Sequence, residues 1–483
     1  MQPPSPSPAP TPSPESTNLV TSRRAFIKAA GATAGVSALA GVKLPYVHAA
    51  DDSTISVALI GCGGRGSGAA VNALTTAKKG PVRLTAMADV FPDKLENSFK
   101  ALKRNEEVGS HVEVADDKKF IGFDAYKQAM DCLKPGDVAI FTTPLAFRWV
   151  HFRYAIQKGL NVFMEKPLTA DGPTSRRMIE LAKEASAKGL KVGVGLMSRH
   201  SRSLQDLSKR IQDGEIGDIV AMRGYRMHGP VGSAFSTKWD GKGSELMWQI
   251  RHFHSFLWAS GGCFSDFYIH IVDHLCWMKG SWPVKAQALG GRHYRKDSNG
   301  EDCIDQNFDT YSVEYTFADG SKFFMDGRCI NGTLPIYASY VHGTKGIAIA
   351  SKANDCGFPS SIHKGQNPDR ASALWTSPSV PGEQDPYTNE WNDLMDAIRN
   401  DKPYNEVKRG VEASLVTSMG RMAAHTGQEI TFDQMLNHEH EYAPGADTLT
   451  PESAPPLRSG PDGKYPVPMP GIVKDKEFEP LKA

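Results

Sequence analysis

The first half of the chain alternates short apolar runs with helical stretches. Ile55 to Ile60 (ISVALI), Val82 to Ala88, Asp137 to Phe141 and Asn161 to Met164 are nearly continuous in apolar residues. That pattern predicts strands buried on both faces. Helices are expected through Ala69, Ala70 and Leu74, and from Trp149 to Lys158 with Gly159 near the C-cap. Such alternation predicts right-handed strand–helix–strand crossovers and a parallel sheet. Further along, the period changes. Tyr311 to Phe317 and Lys322 to Met325 alternate with a period of two around the turn Ala318-Asp319-Gly320. They predict a hairpin in an antiparallel sheet with one solvated face. Ile347 to Ala350 adds another strand, Leu204 to Asp213 a helix that Gly214 ends, and Glu390 to Thr426 a helical stretch. After Tyr442 the chain is aperiodic and Pro/Gly-rich, and is expected to run extended along a surface or a partner subunit.

At 483 residues the chain exceeds one compact core. The expected division is a leader (1–50), a nucleotide-binding domain (51–172), a second α/β domain for substrate and subunit contacts (173–437), and a tail (438–483). The 55 basic residues face 54 acidic ones, a net charge of +1 that gives no electrostatic support for nucleic-acid binding. Seven scattered cysteines show no zinc spacing, so no metal is expected. They read as reduced and structural, with Cys62 the one considered as a catalytic thiol.

The leader has an order of its own. Residues 1–21 are rich in Pro and Ser. Ser22-Arg23-Arg24-Ala25-Phe26-Ile27-Lys28 then precedes a mildly apolar Ala/Gly run and Val47-His48-Ala49-Ala50. This resembles a bacterial twin-arginine export signal. The expectation is export in the folded state to the periplasm or another extracytoplasmic compartment, with the export machinery as a partner. The run is too short and too mild for a stable membrane anchor.

The chemistry begins where the first strand meets Gly61-Cys62-Gly63-Gly64-Arg65-Gly66. Gly61, Gly63 and Gly66 fit GxGxxG: a tight turn, close approach to a pyrophosphate, and close helix packing. With Gly64 and Arg65 they form the expected phosphate cradle at a helix N-terminus. Asp89 ends the second run, 23 residues after Gly66, where an acid meets ribose hydroxyls and repels a 2′-phosphate. NAD is therefore expected over NADP, though Arg65 has the charge to meet a phosphate. Asp89 has a second reading as the N-cap of the following helix. The predicted fold is α/β: an N-terminal Rossmann domain with a parallel sheet, then an α/β domain with a large, mostly antiparallel sheet. Gly61, Asp89, Thr143-Pro144 and Glu165-Lys166 all fall at carboxyl ends of predicted strands, where such sheets bind ligands.

Asp266 and His270 are four apart and share one helix face. Hydride transfer from an alcohol needs a base, a role that suits histidine. Asp266 then either orients His270 or binds a substrate hydroxyl, and Lys166 holds the substrate oxygen. A small polar substrate calls for hydrogen-bonding groups and flat apolar surfaces. Trp248 and Arg251 within Met247 to Trp258, together with Arg199 and His200, are the candidates. Trp258 and Trp277 read as core.

Taken together, GCGGRG, ADVF, TTP and MEKPLTADG resemble the Gfo/Idh/MocA oxidoreductases. The later segments GEIGDIV (214–220), GGCFSDFYIHIVD (261–273) and ITFD (430–433) carry the likeness to Asp433. The resemblance implies sugar or cyclitol oxidation, catalytic Lys166, Asp266 and His270, a homodimer or homotetramer, and a nicotinamide cofactor. Some relatives instead hydrolyse glycosides by transient oxidation, and a non-catalytic carbohydrate-binding relative is a third class. Two positions depart from the family pattern near the expected pocket. Ala146 and Arg148 stand where many members have histidines, and Tyr268, a substrate-binding candidate, stands where many have glycine. Because an exported enzyme lacks a pool of NAD, the cofactor is expected to remain bound and be recycled.

Overall fold

The computed structural model describes residues 53–293, 296–297, 299–379, 382 and 385–479. The twin-arginine segment lies outside the described residues. Seven cysteines are free. Among the described residues no helix is long and apolar enough to cross a membrane.

The first sheet is parallel throughout. Its strands are β1 (Ile55–Ile60), β2 (Val82–Asp89), β3 (Lys119–Ile121), β4 (Val138–Phe141), β5 (Asn161–Met164) and β6 (Val192–Val194), in the order β3-β2-β1-β4-β5-β6. The direction of winding reverses between β1 and β4. Ligands of such sheets bind in the crevice outside the strand ends at that point. Helices α1 (Gly64–Thr75), α2 (Arg148–Lys158) and α3 (Gly172–Ala187) connect these strands.

Because β6 belongs to this sheet, the first layer runs past the boundary expected at 172. The layer also draws on the far end of the chain. The helical stretch expected from Glu390 to Thr426 is in fact two helices, separated by a loop through Asp401 (φ 49°) and Pro403. In the order of the chain α4 is Gly262–Lys279, α5 is Pro386–Arg399 and α6 is Val407–Thr426. Trp391 of α5 packs on Phe163 of β5 at 4.5 Å, and Arg399 donates to the carbonyls of Ser53 and Pro81. No local pattern signals that long-range packing.

The second sheet has nine strands: β7 (Ile219–His228), β8 (Lys285–Gly291), β9 (Thr310–Thr316), β10 (Lys322–Cys329), β11 (Ile336–Gly343), β12 (Gly346–Ser351), β13 (Ser361–Lys364), β14 (Ala373–Thr376) and β15 (Ile430–Thr431). The order is β14-β13-β12-β11-β7-β10-β9-β8-β15, antiparallel except for the β7–β10 pair. Helix α4 is buried on nearly every side, and its apolar residues face all round, as a core helix requires. It lies very close to the sheet. A Cβ on Gly224 of β7 would come within 2.5 Å of Ile271, and one on Gly327 of β10 within 2.0 Å of the Tyr268 ring. Tyr268 is therefore a core residue, with its hydroxyl 3.5 Å from Cys329 Sγ and no exposed surface. The substrate-binding role expected of it is corrected: the extra ring fills the gap above a sheet glycine.

The described part of the tail, residues 438–479, lies on its own chain and buries Leu457, Tyr465, Glu477 and Phe478.

Candidate active site

A cleft opens at the carboxyl ends of β1, β2 and β4, lined by Gly61, Gly63, Asp89, Phe91, Thr143 and Pro144 among others. The glycines differ in what they permit. Gly61 has φ 95°, and a Cβ there would meet the Thr143 amide nitrogen at 2.9 Å; a Cβ on Gly66 would meet the Gly61 carbonyl at 2.1 Å. These two are needed by the protein itself. Around Gly63 and Gly64 nothing lies within 4 Å of a Cβ position, so open space adjoins the backbone at the start of α1. That is the cradle a pyrophosphate fills. The Asp89 carboxylate accepts from the Cys62 amide (2.6 Å) and the Phe91 amide (2.9 Å), and burial raises its pKa. It is fixed against the glycine loop and caps no helix, since the next helix is capped by Phe91 without a side-chain bond. Its remaining lone pairs suit ribose hydroxyls. The residues present therefore fit a dinucleotide.

Arg65 turns away from that cleft. Its Nε donates to Glu165 Oε1 at 2.5 Å, its Nη2 lies 3.5 Å from Glu390, and its guanidinium covers the Tyr387 ring at 4.8 Å. It is committed to carboxylates. Glu390 is buried against Glu165, and burial with that neighbouring charge pushes its pKa well up. Arg148 is likewise structural. It is buried, donates to the Phe141 and Thr143 carbonyls, and so braces the end of β4. Burial lowers its pKa to about 10.

The catalytic candidates converge where β5 ends. Lys166 Nζ donates to the Asp266 carbonyl (2.6 Å) and to Asp266 Oδ1 (3.2 Å). Asp266 Oδ2 lies 3.5 Å from His254 Nε2, whose ring also contacts Ser233. Asp266 therefore positions Lys166 rather than His270. One turn along α4, His270 Nδ1 is buried without a hydrogen-bond partner. Burial holds this imidazole at a pKa of about 4, against the pull of Asp355.

Sequence reasoning missed the far wall of this site. Asp355, in the loop after β12, is buried. Burial opposes its charge, but His270, Tyr337, Arg226 and His274 together hold its pKa below the usual value. Arg226 of β7 lies over the Tyr337 ring at 3.7 Å. In the sequence Asp355 sits in an ordinary-looking loop, Ser-Lys-Ala-Asn-Asp-Cys, with no spacing that ties it to Lys166. Only sheet pairing brings these residues together.

Four substrate candidates are placed elsewhere. Arg199 is bound to buried Asp273 of α4 at 2.7–3.1 Å. His200 is buried between Asp393 (2.7 Å) and Glu406 (3.2 Å); burial opposes its charge, and these acids outweigh it, raising its pKa. Both are braces between helices. Trp248 packs between His252 and Tyr465 of the tail. Arg251 lines the cofactor cleft, paired with Asp93 at 2.9 Å and stacked on Phe91 at 4.0 Å. Among the described residues no cluster could hold a metal ion: Asp273 pairs with Arg199, and His274 Nε2 lies 2.9 Å from Ser339.

No family model matches the chain. It is 29% identical over 100 residues to inositol 2-dehydrogenase of Corynebacterium glutamicum, covering 21% of this chain and 29% of that one. It is 31% identical over 141 residues to scyllo-inositol 2-dehydrogenase (NAD(+)) of Bacillus subtilis, covering 29% and 34%. The matches thus span about a third of those relatives. A levoglucosan dehydrogenase solved with NADH and levoglucosan superposes with a TM-score of 0.59 at 17% identity, over 79% of this chain and 100% of its own. The two-layer architecture is shared across that whole length.

Proposed function

We propose that this chain is a nicotinamide-dependent oxidoreductase of the Gfo/Idh/MocA type that oxidises a ring hydroxyl of a sugar or cyclitol. One observation carries the reading: a glycine-loop cleft adjoins a Lys166–Asp266 pair and a buried, neutral His270. The dinucleotide, when bound, supplies the hydride acceptor. Gly63 and Gly64 admit its pyrophosphate, and Asp89 takes its ribose hydroxyls and disfavours a 2′-phosphate, so NAD is the expected form. Thr143 and Pro144 line the cleft beyond. Lys166, aimed by Asp266, donates to the substrate oxygen and stabilises negative charge as the proton leaves. His270 accepts that proton at Nε2, its Nδ1 being enclosed. Tyr337, Arg226 and Asp355 offer hydrogen bonds to the other hydroxyls of the ring. The inositol and levoglucosan dehydrogenases it resembles support the polyol class.

The proposal extends to the cell. The Arg23-Arg24 leader directs the folded protein out of the cytoplasm, as a homodimer or homotetramer, with its cofactor retained. Each cycle then restores the cofactor, by reducing a second sugar or by returning hydride to the same substrate. The test is periplasmic protein denatured to release its ligand for mass spectrometry, plus a panel of sugars and inositols followed at the nicotinamide absorbance. Stoichiometric NAD and turnover without added NAD are expected. Protein that neither carries nor binds a dinucleotide would refute the reading; cofactor-free protein that works only with millimolar external NAD would refute retention alone.

A further inference from the structure

The tail places one carboxylate deep in the molecule. Glu477 accepts from Arg421 Nε (2.9 Å) and Nη2 (3.0 Å) and lies 2.9 Å from His425 Nδ1. The side chains of Arg421 and Glu477 are 0% and 1% exposed. Burial opposes the charge on Glu477, but Arg421 and the neighbouring His425 hold its pKa at about 2. The rest of the Arg421 guanidinium reaches two other segments. Nη1 donates to the Gly261 carbonyl (2.8 Å) and to Ser265 Oγ (2.7 Å). Nη2 donates to the Ala170 carbonyl (2.8 Å).

Those partners flank the catalytic candidates. Gly261 caps α4, and Ser265 precedes Asp266. Ala170 lies four residues after Lys166 in the loop leaving β5. One planar guanidinium, rigid in its donor directions, therefore ties together the two segments whose side chains meet as Lys166 and Asp266. The tail adds a second tie, from the Tyr442 amide to Asp171 Oδ2 at 3.1 Å.

We propose that the C-terminal tail is a positioning element of the active site, and that Glu477, by holding Arg421, sets the spacing between Lys166 and the Asp266–His270 helix. The inference rests on the oxidoreductase reading above. A purely structural ion pair makes a different prediction, because a buried pair replaced by apolar residues of similar volume often costs no stability. The decisive protein is the full chain with Arg421→Met and Glu477→Leu together. The single change Glu477→Gln, which keeps shape and loses charge, is the second variant.

Each is measured for melting temperature, NAD titration, kcat at saturating substrate and amide hydrogen exchange. The double variant is expected to remain folded, with a lower melting temperature because the Gly261 and Ala170 carbonyls lose their donor, and to keep its NAD affinity. Its kcat should fall roughly tenfold to a hundredfold through misplacement of the reacting groups. Exchange should quicken at residues 167–171 and 261–266 and not in the first sheet. Unchanged kcat and unchanged exchange in those two segments would overturn the proposal. If the double variant does not fold, Glu477→Gln decides by the same readouts. If wild-type protein transfers hydride to or from no sugar, the oxidoreductase reading fails, and the exchange comparison still decides whether the tail holds the two segments.

Discussion

The cofactor cleft and the catalytic corner lie beside each other and are built in opposite ways. The cleft uses backbone and close neighbours: Gly61, Gly63 and Gly66 fall within six residues, and Asp89 ends the adjacent strand. A side chain at Gly66 would run into the Gly61 carbonyl. The corner uses side chains from five distant places: Lys166, Arg226, Asp266, Tyr337 and Asp355. It is held by buried charges whose partners lie as far off as Glu477. One region is a local device that a short motif encodes. The other is a product of long-range packing, and its members cannot be moved singly without a cost elsewhere.

The two regions should therefore break separately. His270→Ala removes the proton acceptor and is expected to lower kcat by about a hundredfold or more. NAD binding, measured by titration, should remain. A variant retaining most of its turnover on a confirmed substrate would strike His270 from the mechanism. Gly63→Val is the reciprocal change. Its backbone has an ordinary φ of −74° and open space beside it, so the apo protein should fold and melt as before. Its NAD dissociation constant should rise by at least about tenfold, or ~1.4 kcal/mol. Gly66→Val, whose Cβ meets the Gly61 carbonyl, should instead damage folding. Equal behaviour of the two glycine variants would erase the distinction between ligand-facing and fold-facing glycines.

The same contrast explains what the sequence reveals. The first sheet was legible because buried parallel strands are continuous apolar runs and GCGGRG marks the turn between strand and helix. The hairpin of β9 and β10 was legible from its period of two. Lys166 and Asp266 meet, with His270 one turn along the same helix, because Lys166 sits at a predicted strand end and the other two share a helix face. Arg199, His200, Trp248 and Tyr268 were misplaced because polarity and size alone do not say which way a side chain points. Two of them answer acids, Asp273 and Glu406, that lie far along the chain. Tyr268 answers Gly327, and Asp355 and Glu477 became visible only with the folded sheet and tail in place.

The pH response sharpens the contrast further, since burial acts on the corner. Burial holds His270 and His274 at pKa values of about 4. An unfolded histidine titrates near 6.5. Between those values the folded protein binds fewer protons than the unfolded chain, so stability falls as pH drops from about 6.5 toward 4. For a fully buried histidine shifted this far the loss is on the order of 3 kcal/mol. Denaturant melts at pH 7 and pH 4.5 should show it, and His274→Asn should flatten the difference. For catalysis, kcat/KM should keep its acid limb near pH 4. An acid limb near pH 6.5 would mean that His270 is solvated or is not the base.

The smallest effect is expected at Arg251, and it decides to which region that residue belongs. The sequence suggested a sugar contact; the structure puts the guanidinium over Phe91 at the mouth of the cofactor cleft, paired with Asp93. Both partners of that pair are largely exposed. Exposed ion pairs contribute about 0–1 kcal/mol, because water screens them and two long side chains must be ordered. The stacking on Phe91 adds a similar amount at an accessible site. Arg251→Ala should therefore weaken NAD binding only about threefold, with the KM for the sugar unchanged. The effect should shrink as salt rises, since screening acts on the exposed charge. A selective rise in the sugar KM, with NAD affinity untouched, would return Arg251 to the substrate side and move the border between the two regions.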